Sequence, residues 1–147
     1  MKIISACLLG INCMYNGANS LDQRVLAYLS EEQFIAVYPE QLGGLPTPRD
    51  ACEIQGQSGE YVLDGCCRVL SKYGKDLTDF FIKGAQETLD IALKNHVDEA
   101  ILRHNSPSCG CGSTYDGTFS HSFIRGDGVT TALLRRNGIK AISEENL

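Results

Sequence analysis

Seven cysteines stand out in this chain of 147 residues: Cys7, Cys13, Cys52, Cys66, Cys67, Cys109 and Cys111. Their number is odd, and at about 5% of the chain they fall below the ~8–10% of a disulfide scaffold. Soft thiolate ligands select zinc or iron–sulfur clusters. Structural zinc sites carry paired Cys-x2–4-Cys knuckles, and none is present: Cys7 and Cys13 are six positions apart, Cys109 and Cys111 two. His96, His104 and His121 show no ligand spacing either. Cys66 and Cys67 sit in a strand-like run, Cys66-Cys67-Arg68-Val69-Leu70, and read as small core residues. The other five lie in loops rich in Gly, Pro and Ser. A cluster ligated from loops distant in sequence fits that spacing better than a zinc knuckle, with structural buried thiols as the alternative.

Three loops hold the remaining chemical candidates. Glu40 follows Pro39 ahead of Gly43-Gly44, which would let the loop close over a ligand. It reads as a general acid/base in a partly dry site, or as a surface turn carboxylate. Arg49 either pairs with Asp50 or orients an anionic ligand. Ser106 and Ser108 flank Pro107 before Cys109; they are hydrogen-bond donors toward a substrate or cluster sulfur, or simple turn caps. The Gly-rich run Arg125–Thr131 opens a helix, whose N-terminus could bind an anion, but no Gly-x4-Gly-Lys-Ser/Thr loop exists.

Strands and helices must bring these loops together. Apolar runs predict strands at Lys2–Ala6, Phe34–Val37, Glu99–Arg103 and Ile139–Ser143. Helices are expected over Leu21–Leu29, with Leu21, Val25 and Leu29 on one face, over Asp76–Asn95, and over Gly128–Asn137 with Gly138 as the stop. In the longest helix, Leu77, Phe81, Ala85, Thr88 and Ala92 make one apolar stripe, with Asp76 at the cap. Residues 60–63 and 66–71 read as a hairpin around Asp64-Gly65, and 38–59 as a long loop. The alternation implies one α/β domain over residues 1–147: a three-layer sandwich with a mostly parallel, Rossmann-like central sheet and a small β-hairpin. Ligand sites in such sheets lie beyond the carboxyl ends of the strands. Cys7, Pro39-Glu40 and the Ser106–Gly112 loop all begin at such ends.

The hydrophobic fraction of 43% and charged fraction of 21% suit a globular domain, and the net charge of −5 argues against nonspecific DNA or membrane binding. No apolar run approaches the ~18 residues of a membrane span. The apolar start Met1–Gly10 reads as a buried strand, not a signal peptide, so a reducing, cytoplasmic location is expected.

Five blocks in order then resemble a family long catalogued only as a domain of unknown function, some members of which are called thiouracil desulfidases. They are Ser5-Ala6-Cys7-Leu8-Leu9-Gly10 with Cys13-x-Tyr15-Asn16-Gly17; Pro39-Glu40-x-Leu42-Gly43-Gly44-Leu45-Pro46-Thr47-Pro48-Arg49; Ser106-Pro107-Ser108-Cys109-Gly110; Tyr115-Asp116-Gly117-Thr118-Phe119; and Gly126-x-Gly128-Val129-Thr130. The resemblance implies a 4Fe–4S cluster held by three cysteines with one open iron, which takes the sulfur of a small thiolated substrate such as 2-thiouracil. Water, helped by a carboxylate, would replace the sulfur without net redox change. Cys7, Cys13 and Cys109 match family positions and are the expected ligands, with Cys52 the main rival for the Cys13 place and Cys111 a weaker one. Relatives often carry Cys before the Pro-Glu pair, where this chain has Tyr38. The expected catalytic residues are Glu40, Ser106 and Ser108. Alternative functions are a cluster- or metal-binding carrier or regulator, and desulfidation of a thiolated nucleoside or tRNA.

Overall fold

Apolar strands alternating with amphipathic helices bury both faces of a parallel sheet, and a computed structural model describing residues 1–147 shows that arrangement. In chain order the elements are β1 (Lys2–Ser5), α1 (Gln23–Tyr28), β2 (Phe34–Val37), α2 (Pro39–Leu42), β3 (Cys52–Ile54), α3 (Gly59–Leu63), β4 (Val69–Ser71), α4 (Thr78–Lys94), β5 (Glu99–Leu102), β6 (Ser113–Tyr115), β7 (Phe123–Arg125), α5 (Val129–Arg136) and β8 (Lys140–Ser143). Single 3-10 turns follow β1 at Ala6–Leu9 and β8 at Glu144–Asn146. The central sheet has the order β2-β1-β5-β8, with every pair parallel.

Strand periodicity sorts the core into two faces. Ile3, Ala100 and Leu102 pack with Ala92 of α4 and Leu134 of α5. Ile4 and Ile101 point the other way, against Val25 of α1, Leu8 and Cys7. The stripe of Leu77, Phe81, Ala85, Thr88 and Ala92 is buried as its spacing requires. Asp76 Oδ1 accepts the Thr78 amide at 3.0 Å and the Thr78 hydroxyl at 2.6 Å, which satisfies a free donor at the start of α4. No helix is long and apolar enough to cross a membrane.

Four local expectations are corrected. Residues 59–63 form a helix, not a strand. Asp64-Gly65 serves as its C-terminal stop, with Gly65 at φ +79° and the Cys66 amide reaching back to the Tyr61 carbonyl at 2.8 Å. The true partner of β4 is β3, antiparallel, and β6–β7 form a second small hairpin. Cys66 is exposed and Cys67 half-buried, because the strand starts only at Val69. Leu21 lies before α1 and is 50% exposed, outside the face that buries Val25 and Leu29.

The fourth correction falls on the supposed long loop, which contains α2 and β3. Pro39 is accepted at the first turn of α2 because its missing N–H would be unbonded there anyway. Gly43 is not a hinge for closing over a ligand. A Cβ on it would stand 2.0 Å from the Phe80 carbonyl oxygen, and one on Gly84 would stand 2.1 Å from the Pro39 oxygen. The two glycines let α2 and α4 touch backbone to backbone, which fixes Glu40 on a rigid support.

Candidate active site

Two loops at neighbouring strand ends deliver three buried thiols. The chain leaves β1 in a 3-10 turn that carries Cys7, and Cys13 follows in the same loop; Cys109 arrives from the loop after β5. All three are 2% exposed or less. No cysteine is in a disulfide. Ser5 Oγ lies 3.3 Å from Cys7 Sγ.

The Cys109 loop is held by its own backbone and by α5. The Cys109 amide donates to Ser106 Oγ at 2.6 Å. Amides of Gly128, Val129 and Thr130 donate to the carbonyls of Gly110, Pro107 and Ser108 at 2.8, 2.8 and 2.9 Å, and Thr131 Oγ1 donates to the Cys109 carbonyl at 2.9 Å. A Cβ on Gly128 would stand 2.5 Å from the Ser108 carbonyl oxygen, so only glycine admits this approach. These bonds correct the reading of Arg125–Thr131 as an anion site, since the helix-start amides are spent on the cysteine loop.

Electrostatics differ among the thiols. The facing Cys13 thiol is the largest influence on Cys7 and holds it below the ordinary thiol range against burial, with Ser5 and the Arg103 charge assisting. Cys13 is correspondingly pushed up by that contact and by burial. Burial drives Cys109 well above the ordinary range, with the charges of Glu40 and Cys7 adding to it. Cys52 and Cys111 are each raised to about 11, chiefly by burial.

Beside the thiols opens a cleft of about 310 Å³, walled by Glu40, Arg49, Cys52, Arg103, Ser106 and Tyr115 among others. Glu40 is 4% exposed. Its Oε2 accepts from Arg49 Nη2 at 3.1 Å, while its Oε1 is buried without a hydrogen-bond partner. The Arg49 guanidinium also stands 5.7 Å over the ring of Tyr38, a cleft residue. Burial, and then the Glu40 carboxylate, push the Tyr38 hydroxyl above its usual range, so it stays protonated.

The structure brings Glu40 and Ser106 together in the cleft, but not Ser108, which is buried with its Oγ 2.8 Å from Thr130 Oγ1. Cys7, Cys13 and Cys109 are absent from the wall; Cys52 is the cysteine that lines it. Sequence reading missed Arg103, Glu53 and His121. Arg103 could have been found, because it follows β5 directly at a carboxyl end. Glu53 could not: its Oε1 accepts the amides of Gly117 at 3.0 Å and Phe119 at 3.2 Å, a tertiary contact that no spacing announces. His104, Glu144 and Glu145 gather ligand atoms within 4.8 Å. There Glu144 already accepts the His104 amide at 3.0 Å and contacts the His104 ring.

A parallel sheet with thiol loops and a buried carboxylate at its carboxyl ends defines the class, and residues 3–146 match the model of the 2-thiouracil desulfurase family. The chain belongs to that family. It is 42% identical over 147 residues to "Uncharacterized protein YbbK" of Bacillus subtilis (strain 168), covering 100% of this chain and 97% of that protein. Among solved structures it is similar to the [4Fe-4S]-dependent thiouracil desulfidase TudS, of the DUF523 family. The match has a TM-score of 0.85 and 39% identity over 99% of this chain and 91% of that one.

Proposed function

We propose that this protein removes sulfur, as sulfide, from a small thiolated pyrimidine such as 2-thiouracil by hydrolytic C–S cleavage, using a 4Fe–4S cluster held by Cys7, Cys13 and Cys109. The observation that carries the reading is Glu40, a buried carboxylate with one oxygen anchored on Arg49 and the other without a partner, in a cleft beside three buried thiols. The donor set fits the group, because three soft, water-shielded thiols from two loops are what an iron–sulfur cluster needs and one iron would remain without a protein ligand. When bound, such a cluster supplies a soft Lewis acid for a thiocarbonyl sulfur.

The chain supplies the rest. Arg49 keeps Glu40 oriented, and Glu40 Oε1 accepts a proton from the water that adds to the thiocarbonyl carbon. That proton and the one left on the added hydroxyl both pass to the departing sulfur, so C=S and water become C=O and hydrogen sulfide. Ser106, whose Oγ accepts from the Cys109 amide, keeps its hydroxyl hydrogen for the substrate. Ser108 acts through the Cys109 loop as a positioning residue. A cleft of about 310 Å³ is at the small end of ligand pockets, about 300–1,000 Å³, and favours a free base over a nucleotide.

The test is anaerobically purified protein with 2-thiouracil in water enriched in heavy oxygen. Equal iron and acid-labile sulfide in the protein, sulfide and uracil released in equal amounts, and the heavy isotope in the uracil are the expected results. Stoichiometric zinc without iron, or uracil without the isotope, would overturn the cluster or the hydrolysis respectively.

A further inference from the structure

Two arginines wall the cleft, and they are used differently. Arg49 is committed, with Nη2 on Glu40 at 3.1 Å and Nη1 on the Pro46 carbonyl at 3.3 Å. Arg103 is half-buried and forms no ion pair with any carboxylate. Its one hydrogen bond runs from Nε to Ser20 Oγ at 2.9 Å, and Ser20 Oγ in turn donates to Met14 Sδ at 3.1 Å. The inner edge of the guanidinium is thus pinned, and both terminal Nη groups are left without protein acceptors.

A guanidinium has five N–H donors in a fixed fork and no acceptor. Held partly out of water with its fork open, it calls for an oxygen acceptor from a ligand. We infer that Arg103 binds a ring carbonyl oxygen of the substrate and so selects thiolated heterocycles that carry a carbonyl as well as a thiocarbonyl. The inference rests on the desulfidase reading above and names the part of the substrate that the thiols do not recognise. The soft sulfur at one edge of the ring suits the thiol side of the site, and the hard oxygen at another suits the guanidinium. A site built to hydrogen-bond an oxygen rejects an analogue that lacks it far more strongly than an apolar pocket rejects a missing methylene.

The test compares cluster-loaded wild-type protein with Arg103→Gln and Arg103→Lys, each checked for iron content and visible spectrum. Uracil, which has the carbonyl and no sulfur, is titrated by anaerobic calorimetry, so this arm needs no turnover. Kinetics are then run on 2-thiouracil and on pyrimidine-2-thione, which lacks a ring oxygen. Arg103→Gln should weaken uracil binding by about tenfold or more. It should raise KM for 2-thiouracil by a similar factor with kcat within about threefold, and cost pyrimidine-2-thione a markedly smaller factor. Arg103→Lys, which keeps charge but loses the fork, should fall between, and it carries the test if the Gln variant does not hold its cluster. Unchanged uracil affinity in both variants, equal losses on both thiones, or no uracil binding by the wild type would overturn the inference. Absence of sulfide release by the wild type from 2-thiouracil would overturn the desulfidase reading alone, because the uracil titration is read without it.

Discussion

Glu40 and Arg49 form an asymmetric pair, with one carboxylate oxygen fixed and the other free, and in the proposed reaction that asymmetry separates holding from reacting. Glu40→Gln preserves size and can still accept from Arg49, but it cannot take a proton. Sulfide release should therefore fall by about 10²–10⁴-fold, the usual worth of positioned proton transfer, with iron content unchanged. Near-normal turnover in that variant would remove Glu40 from the chemistry. The cysteines divide by burial in the same way. Cys7→Ser, Cys13→Ser and Cys109→Ser should each abolish a stable cluster, as read by iron and visible absorption. Cys66→Ser, at an exposed position, should not. Cys52→Ser is the informative control, since Cys52 lines the cleft. Loss of the cluster there, with a full cluster in Cys13→Ser, would transfer the third bond to Cys52.

At the level of elements, two backbone approaches decide where these side chains stand: α2 against α4 through Gly43 and Gly84, and the start of α5 against the Cys109 loop through Gly128. Gly128→Ala forces a methyl to within 2.5 Å of the Ser108 carbonyl oxygen. Overpacking of this kind destabilises by about 1–3 kcal/mol, and the denaturant midpoint should fall accordingly, together with cluster retention. A midpoint equal to that of the wild type would show that the contact yields easily. The sequence reveals the four central strands because their apolar runs are continuous, and it reveals α4 because stripe residues from Leu77 to Ala92 repeat at helical spacing along a helix of 17 residues. Four- and five-residue helices such as α2 and α3 are too short for periodicity to show. The Asp64-Gly65 pair suits a hairpin turn and a helix stop equally well, and only the packing of Gly59 and Val62 decides between them. Cys7, Glu40 and Ser106 are legible because strand ends point to them. The unpaired state of Arg103 is not, because it depends on which carboxylates fail to come near.

Over the whole molecule the two ends of the sheet do different work. The amino ends gather a charge knot around the buried Glu99, which accepts from Tyr28 at 2.7 Å and pairs with Lys2 at 3.2 Å and Lys140 at 3.1 Å. Burial alone would raise the Glu99 carboxyl, but the Tyr28 hydroxyl and the two ammonium groups outweigh it and hold it below the ordinary carboxylate range. A carboxylate depressed in the folded state stabilises fully above its unfolded pKa, and the contribution is lost as pH falls through the folded value. Glu99→Gln should lower stability by about 1.5–3 kcal/mol near neutral pH and flatten the acid limb of the stability curve below about 4.5, both measured by urea unfolding. An acid limb as steep as that of the wild type would place the acid sensitivity elsewhere. At the carboxyl end, the amides of Gly128, Val129 and Thr130 are bonded to the loop of Pro107–Gly110 and to nothing in their own helix. Their exchange with deuterated solvent is therefore a clock set by another part of the chain. Anything that steadies the Cys109 loop will slow it, and anything that frees the loop will speed it, so three backbone hydrogens give a time-resolved record of the site without a label in it.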